Sequence, residues 1–372
     1  MSMVAERTRA AVPEPDRLEG FSAPREVDPL FGHDAALREF ADALASGRMH
    51  HAWLIVGPEG VGKATLAYHF ARMVLAERDA VHQGEAIDTD HPVFRKVAAL
   101  SHPNLLLLRR SYNEKTKRYS QFIGVDQVRR LKAFLGNTAG EEGWRVVIVD
   151  RADDLNQNAA NALLKALEEP PPRTLFILIS SAEGRLPVTI RSRSRILRVA
   201  ALGGEDLKKA VRAALARDDQ ESDPGTLATA IALSDGSVRR ALELASGEGI
   251  ELYGEIVALV AALPELDGAR LHRLVDRIGG FSNTEQLELF IALLLGLMER
   301  LIRFTATGEG ATREEQTLAK SLISRGNLAQ WAEAWEAISE AHAEALEYNL
   351  DPSLFLLETW LRLQKLAREH PV

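Results

Sequence analysis

The sequence predicts an α/β domain built on a parallel sheet, followed by a small helical domain and a larger all-helical one. Three observations predict it. A glycine-rich loop joins an apolar run, Ala52–Val56, to an amphipathic segment, Leu66–Leu75. Four further short apolar runs alternate with stretches of helical periodicity up to residue 202. After Gly203-Gly204 only helical spacing is found. Buried strands alternating with amphipathic helices are the pattern of a parallel sheet covered on both faces.

Residues 1–28 are polar and proline-rich and read as a loose tail. Residues 29–202 make the α/β domain. In it, 34–46 carries helical spacing through Leu37, Phe40, Ala41 and Leu44, ahead of the first strand at 52–56. Residues 77–103 are polar and irregular. Leu105–Leu108 is a fully apolar strand, and 125–135 is a helix with Val125, Val128, Leu131, Phe134 and Leu135 on one face. Val146–Asp150 is a buried strand ending in an acid. The helix over 158–169 stops at Pro170-Pro171-Pro172, which cannot continue it. Strands at 175–179 and 196–199 close the domain. Residues 203–247 read as a helical lid with a turn at Asp235-Gly236. Residues 248–372 read as a third domain, rich in Leu, Ala and Glu, with breaks at Gly279-Gly280 and 306–310.

A length of 372 residues suits two or three such domains, and 46% hydrophobic with 26% charged residues is ordinary for a globular chain. There is no cysteine, which excludes disulfides, a thiol nucleophile and cysteine–zinc sites and agrees with a cytoplasmic location. The longest apolar run, 289–298, is too short to span a bilayer. The net charge of −8 means that any nucleic-acid contact must come from a local patch, and no interleaving of basic and aromatic residues is read along the chain.

The loop Gly57-Pro-Glu-Gly-Val-Gly-Lys-Ala-Thr65 has the strand–loop–helix setting of a phosphate-cradling P-loop. Gly57, Gly60 and Gly62 let backbone N–H groups close around a polyphosphate, and Lys63 can reach its terminal phosphates. Ala64 stands where the Mg²⁺-binding hydroxyl belongs. Thr65 follows it, its side chain turned by about 100° along a helix. Asp150, at a strand end, is placed to orient a metal, or else simply caps the next segment; its pairing with the P-loop favours the first. Arg151 follows, where ATPases of this layout commonly hold a glutamate that polarises water; a cation cannot act as that base. Ser180 and Ser181 either sense a γ-phosphate or close a strand into a turn. Arg185, Arg191, Arg193, Arg195 and Arg198 fit an arginine finger, a DNA-backbone contact, or, on spacing alone the better reading, a solvated strand face. Arg239 either folds back onto phosphates or is an exposed residue behind a helix cap. His50-His51 lack further ligands for a metal, so no metal site is expected. Trp331, Trp335 and 354–357 suit core or subunit packing.

Together, Asn161-Ala-Leu-Leu-Lys-Ala-Leu-Glu-Glu-Pro-Pro171, Thr174-Leu-Phe-Ile-Leu178 and Leu186-Pro-Val-Thr-Ile-Arg-Ser-Arg-Ser194 resemble the AAA+ core of bacterial DNA polymerase III clamp-loader subunits. In the third string Ser194 replaces the cysteine of the family's Ser-Arg-Cys motif. The segment near Gly236 resembles the sensor-2 motif and Tyr348-Asn-Leu-Asp-Pro352 the collar, so the resemblance runs from about residue 29 to the C-terminus. Ala64 and Arg151 depart from the gamma/tau motor, and a cysteine-free 77–103 stands where motors normally, and many delta-prime subunits, carry a zinc module; the combination resembles a delta-prime type that has lost it. The resemblance implies an AAA+ domain, a lid and a collar. It implies a ring with three gamma/tau motors and delta that loads the sliding clamp onto primed DNA, polymerisation lying in another subunit. It implies that Arg193 acts in trans as an arginine finger on a neighbour's ATP. The chain's own site would take ATP or ADP, with Mg²⁺ disfavoured, no zinc, and weak or absent hydrolysis. The alternatives are a motor subunit with atypical motifs and, last, a DNA-binding scaffold.

Overall fold

The computed structural model describes residues 13–76, 87–116, 118–136, 143–245, 248–280, 284–348 and 350–371. The chain divides into two compact units. The first holds residues up to 222 together with Gly236–Leu242; the second holds Asp223–Asp235 and Glu243 onward. The lid expected over 203–247 therefore does not separate as a body of its own: its helices are shared between the two units.

In the first unit the order is α1 (Asp34–Ala45), β1 (Ala52–Val56), α2 (Lys63–Leu75), α3 (Pro92–Ala98), β2 (Leu105–Leu108), β3 (Tyr112–Asn113), β4 (Arg118–Tyr119), α4 (Val125–Gly136), β5 (Arg145–Val149), α5 (Gln157–Glu168), β6 (Thr174–Ser180), α6 (Val188–Arg191), β7 (Arg195–Arg198) and α7 (Gly204–Arg217). Five strands form one sheet in the order β2-β5-β6-β1-β7, every pair parallel. Leu54 of β1 lies opposite Leu178 of β6 and Ile196 of β7. Successive side chains of a strand point to opposite faces, and both faces are buried here. Trp53, Ile55, Ile148 and Ile177 pack with Phe40 of α1 and with Leu66 and Phe70 of α2. Leu54, Val147, Phe176 and Leu178 pack with Val128 and Leu131 of α4 and Leu163 and Leu167 of α5. The parallel, doubly covered sheet of the sequence reading is thus met strand for strand.

Three features differ from the reading. Residues 13–28 are packed rather than loose: Phe21 and Ala23 are buried. Arg25 pairs with Glu14 and donates from Nε to the Ala98 carbonyl at 2.6 Å, and Arg109 reaches Glu14 at 2.9 Å and Asp16 at 3.0 Å. Tertiary ion pairs fold a segment whose local sequence has no periodicity. Within 77–103, α3 starts at Pro92 behind His91, whose Nδ1 accepts from the Val93 N–H. The hairpin β3–β4, with Tyr112 and Tyr119 in edge contact at 5.2 Å, was not read either.

The helix α9 (Val238–Ala245) begins in the first unit and ends in the second. The second unit contains α8 (Pro224–Leu233), α10 (Glu248–Ala261), α11 (Gly268–Ile278), α12 (Thr284–Thr307), α13 (Arg313–Leu322), α14 (Leu328–Tyr348) and α15 (Pro352–Glu369). Its core is built around Phe290, Leu294, Trp331 and Trp360. Trp335 is partly buried against it and donates from Nε1 to the Leu295 carbonyl at 3.0 Å. Phe355 and Leu356 are buried while Leu354 is exposed. Arg300 is buried and bonds Glu315 at 2.8 Å and Asp235 at 3.0 Å, and Tyr253 donates its hydroxyl to Glu315 at 2.5 Å. Among the described residues no helix is long and apolar enough to cross a membrane.

Candidate nucleotide site

Strand β1 delivers the chain into the loop 57–62, and left-handed backbone at Gly60 (φ +75°) and Gly62 (φ +99°) turns it into α2. Only glycine adopts that conformation without strain. The helix starts at Lys63, so Ala64 and Thr65 are its second and third residues. Gly57 is required for a different reason: a Cβ there would meet the Val199 carbonyl oxygen at 2.3 Å. His33, which the sequence reading passed over, is buried and its Nε2 lies 2.7 Å from the Val61 carbonyl. It pins the loop from the start of α1.

Lys63 is buried, and its Nζ donates to the carbonyls of Gly57 (2.8 Å) and Pro58 (2.6 Å) and to Ser181 Oγ (2.8 Å). Burial pushes its ammonium down to about 8. Asp150 follows β5, buried, with its N–H on the Leu108 carbonyl at 2.9 Å. Burial pushes its carboxyl up to about 7, and the charge of Asp16 adds to the effect. Arg151 adopts left-handed backbone (φ +58°) and pairs with Glu59 at 3.3 Å and Asp154 at 3.2 Å. A cation therefore bridges to the P-loop where an acid would polarise water.

These residues surround a cleft of about 220 Å³ that collects Gly60, Gly62, Lys63, Ala64, Thr65, Asp150, Ser181 and Arg239 from the sequence reading, and adds Asp16 and Phe21. Arg239 reaches it because its backbone N–H bonds the Gly60 carbonyl at 3.2 Å, while Ser237 Oγ accepts from the Arg240 N–H at 3.2 Å and caps α9. The helix cap is present, and Arg239 is half-buried in the cleft wall rather than exposed behind the cap. Ser180 is not in the cleft: its Oγ is buried and accepts from the Ala182 N–H at 3.1 Å, closing the strand into a turn. The hydroxyl that meets Lys63 belongs to Ser181. The Ser180 and Ser181 strand-end choice was invisible in sequence because it depends on where β6 stops.

Arg193 lies outside the cleft, between α6 and β7. It is half-exposed, 2.8 Å from Glu168, and donates to the Thr189 carbonyl at 3.1 Å. Arg195 pairs with Glu39 at 2.7 Å and lies 4.6 Å over the Trp53 ring; Arg198 pairs with Glu183 at 3.0 Å. His50 and His51 stack at 4.5 Å, and His50 Nδ1 lies 2.7 Å from the Ala52 carbonyl.

Two consequences are measurable. The Gly60 Cβ position lies 2.2 Å from Ser237 Oγ and 2.8 Å from Arg239 Cβ. Gly60→Ala combines that clash with a positive φ, so we expect a loss of about 1–3 kcal/mol in chemical denaturation and faster amide exchange over 236–242. Unchanged exchange there would show that the loop does not lean on α9. For Asp150, a folded-state value of about 7 against the usual 3.8 means that the native state holds the proton more tightly. The resulting stabilisation is full below about 4 and disappears as pH rises to about 7. Asp150→Asn should raise the melting temperature by several degrees above pH 7, with the advantage shrinking toward pH 4. A constant difference across that range would contradict the burial argument.

Residues 32–203 match the family model described as DNA polymerase III, delta subunit. That segment is similar to the DNA polymerase III delta-subunit family. The family segment begins just before α1 and ends just before α7, so it takes in the whole five-stranded sheet and the P-loop. A DNA polymerase III subunit delta' of Pseudomonas aeruginosa is 42% identical over 145 residues, 38% of this chain and 41% of the relative. A subunit delta' of Haemophilus influenzae is 32% identical over 205 residues, 55% of this chain and 58% of the relative. Subunit tau of Escherichia coli is 26% identical over 308 residues, 75% of this chain and 44% of the relative. The chain thus spans 41% to 58% of the length of these curated relatives. Among solved structures, a gamma subunit-related protein of Thermotoga maritima aligns at 17% identity with a TM-score of 0.40, over 89% of this chain and 98% of that one, too loosely to argue from. The relation to delta-prime and gamma/tau subunits read from the motifs is met.

Proposed function

We propose that the chain is a delta-prime-type subunit of a DNA polymerase III clamp loader. It works beside gamma/tau and delta subunits to place the sliding clamp on primed DNA, with little or no ATP hydrolysis of its own. The observation that carries this reading is Arg151, ion-paired to Glu59 beside the phosphate loop, in the position where hydrolysis needs an acid. Ala64 in the first turn of α2 supports it, since the residue that follows Lys63 carries no hydroxyl to hold a metal. The backbone N–H groups around Gly60 and Gly62, with Lys63, suit the phosphates of ATP or ADP. Arg193, half-exposed and away from this cleft, is available to a neighbouring subunit's γ-phosphate, where an arginine stabilises charge as it develops.

Steady-state ATP turnover tests the reading. The isolated chain should hydrolyse at or near background, and the rate should appear only on mixing with motor and delta subunits, clamp and primed DNA. Robust turnover by the isolated chain that is lost in Lys63→Ala would overturn it in favour of a motor subunit using Thr65.

A further inference from the structure

The chain is acidic overall, at −8, yet from Arg109 to Lys132 it carries eight Lys or Arg against two Asp or Glu. In that stretch basic and aromatic residues do interleave, through Arg109, Arg110, Tyr112, Lys115, Tyr119 and Phe122, which corrects the sequence reading. The fold brings the stretch to one edge of the sheet. β2 is an outer strand, the β3–β4 hairpin follows it, and α4 packs behind β2. Between them runs a groove of about 280 Å³, separate from the nucleotide cleft, whose walls include Arg109, Arg110, Tyr112, Gln127 and Arg130.

We propose that this groove binds single-stranded DNA. The walls are fixed in advance. Arg109 is held by Glu14 and Asp16, while Arg110 lies 3.2 Å from Asp154 and 5.9 Å over the Tyr119 ring. Gln127 accepts from Arg130 at 3.0 Å. Beyond these, Lys115 at the hairpin tip and Arg129, Arg130 and Lys132 on α4 are exposed, and of the three on α4 it is Arg130 that lines the groove. Arg129 shares its charge with the equally exposed Asp126. Tyr112 in the wall and exposed Phe122 offer ring faces to unpaired bases. A basic track beside aromatic rings is what a single strand needs, its phosphates on cations and its bases stacked. A duplex keeps its bases stacked internally and would gain only the charge, and the groove is too small to admit one. The inference goes beyond the ring assignment and needs no partner subunit.

The test is fluorescence anisotropy of the full chain with labelled oligo(dT) and with a blunt duplex of equal length. We expect binding to the single strand that weakens roughly 20- to 50-fold between about 50 and 200 mM salt, as for about three to four phosphate contacts. Arg130→Glu and Lys115→Glu should each weaken it by about threefold or more at low salt. Phe122→Ala should cost about fivefold or more through lost stacking. Absence of binding, duplex binding equal to the single strand, or charge-reversed variants that bind as well as the parent would each overturn the proposal. None of those outcomes alters ATP turnover in the mixture, so the clamp-loader reading stands or falls separately.

Discussion

Arg193→Ala should slow hydrolysis at the one neighbouring ATP site it serves by about a thousandfold or more, read as a partial loss of turnover in the reconstituted complex, while the isolated protein should keep its melting temperature within a degree or two. The size follows from what a guanidinium in trans supplies to phosphoryl transfer, about three to five orders of magnitude in rate. The silence of the fold follows from local structure. Arg193 is half-exposed, and its partner Glu168 is exposed as well, so the pair contributes at most about 1 kcal/mol. Its other bond, to the Thr189 carbonyl, stays within the turn that follows α6. Arg193→Lys separates charge from geometry: lysine keeps the charge but cannot donate two parallel bonds, and the rate should fall between those of the parent and the alanine variant. Turnover in the mixture that ignores Arg193→Ala would remove the finger from the proposal.

Glu315→Gln should cost about 3 kcal/mol of the second unit's stability, read in urea denaturation and as faster amide exchange over α12 and α13. Glu315 is buried between the Arg300 guanidinium and the Tyr253 hydroxyl. Burial alone would raise its carboxyl, but Arg300 and Tyr253 outweigh that and hold it below its ordinary value. Removing the charge leaves Arg300, itself buried, with only the partly exposed Asp235 for compensation. Breaking a buried pair from one side is costly for that reason, about 3–5 kcal/mol, whereas replacing both partners with apolar residues of similar volume is often nearly neutral. Arg300→Met with Glu315→Leu should therefore be less destabilising than the sum of the single changes. The same carboxylate also accepts from the Thr312 N–H at 2.7 Å, closing the capping box of α13, so Glu315→Ala should cost more than Glu315→Gln. A loss under about 0.5 kcal/mol for Glu315→Gln would mean that water reaches Arg300.

The parts of the molecule that sequence made legible are those governed by short-range pattern. Ala52–Val56 and Thr174–Ser180 are buried at every position, and a continuous apolar run announces that. The glycines at 60 and 62 declare positive φ by their identity. What escaped depends on distant partners. Residues 13–28 are ordered by Arg25 and Arg109 meeting Glu14 and Asp16, charges that look like a solvated run until the fold brings them together. The β3–β4 strands are two residues each, too short for an alternation to be seen, and are identified by the Tyr112–Tyr119 contact. Within the candidate site, Lys63 and Asp150 were legible by motif. His33 and Asp16 were not, since they enter the site only by the path of the backbone around it.

The contact between Gly60 and Arg239 joins residues made far apart in time. A nascent chain emerges with its phosphate loop early, and the segment against which that loop rests, Gly236–Leu242, leaves the ribosome only after the whole sheet and α7 have been synthesised. Any product that ends before residue 242 carries the loop and Lys63 with one side of the cleft missing. A premature stop between residues 203 and 236 yields a fragment that retains the matched segment but lacks one wall of the cleft.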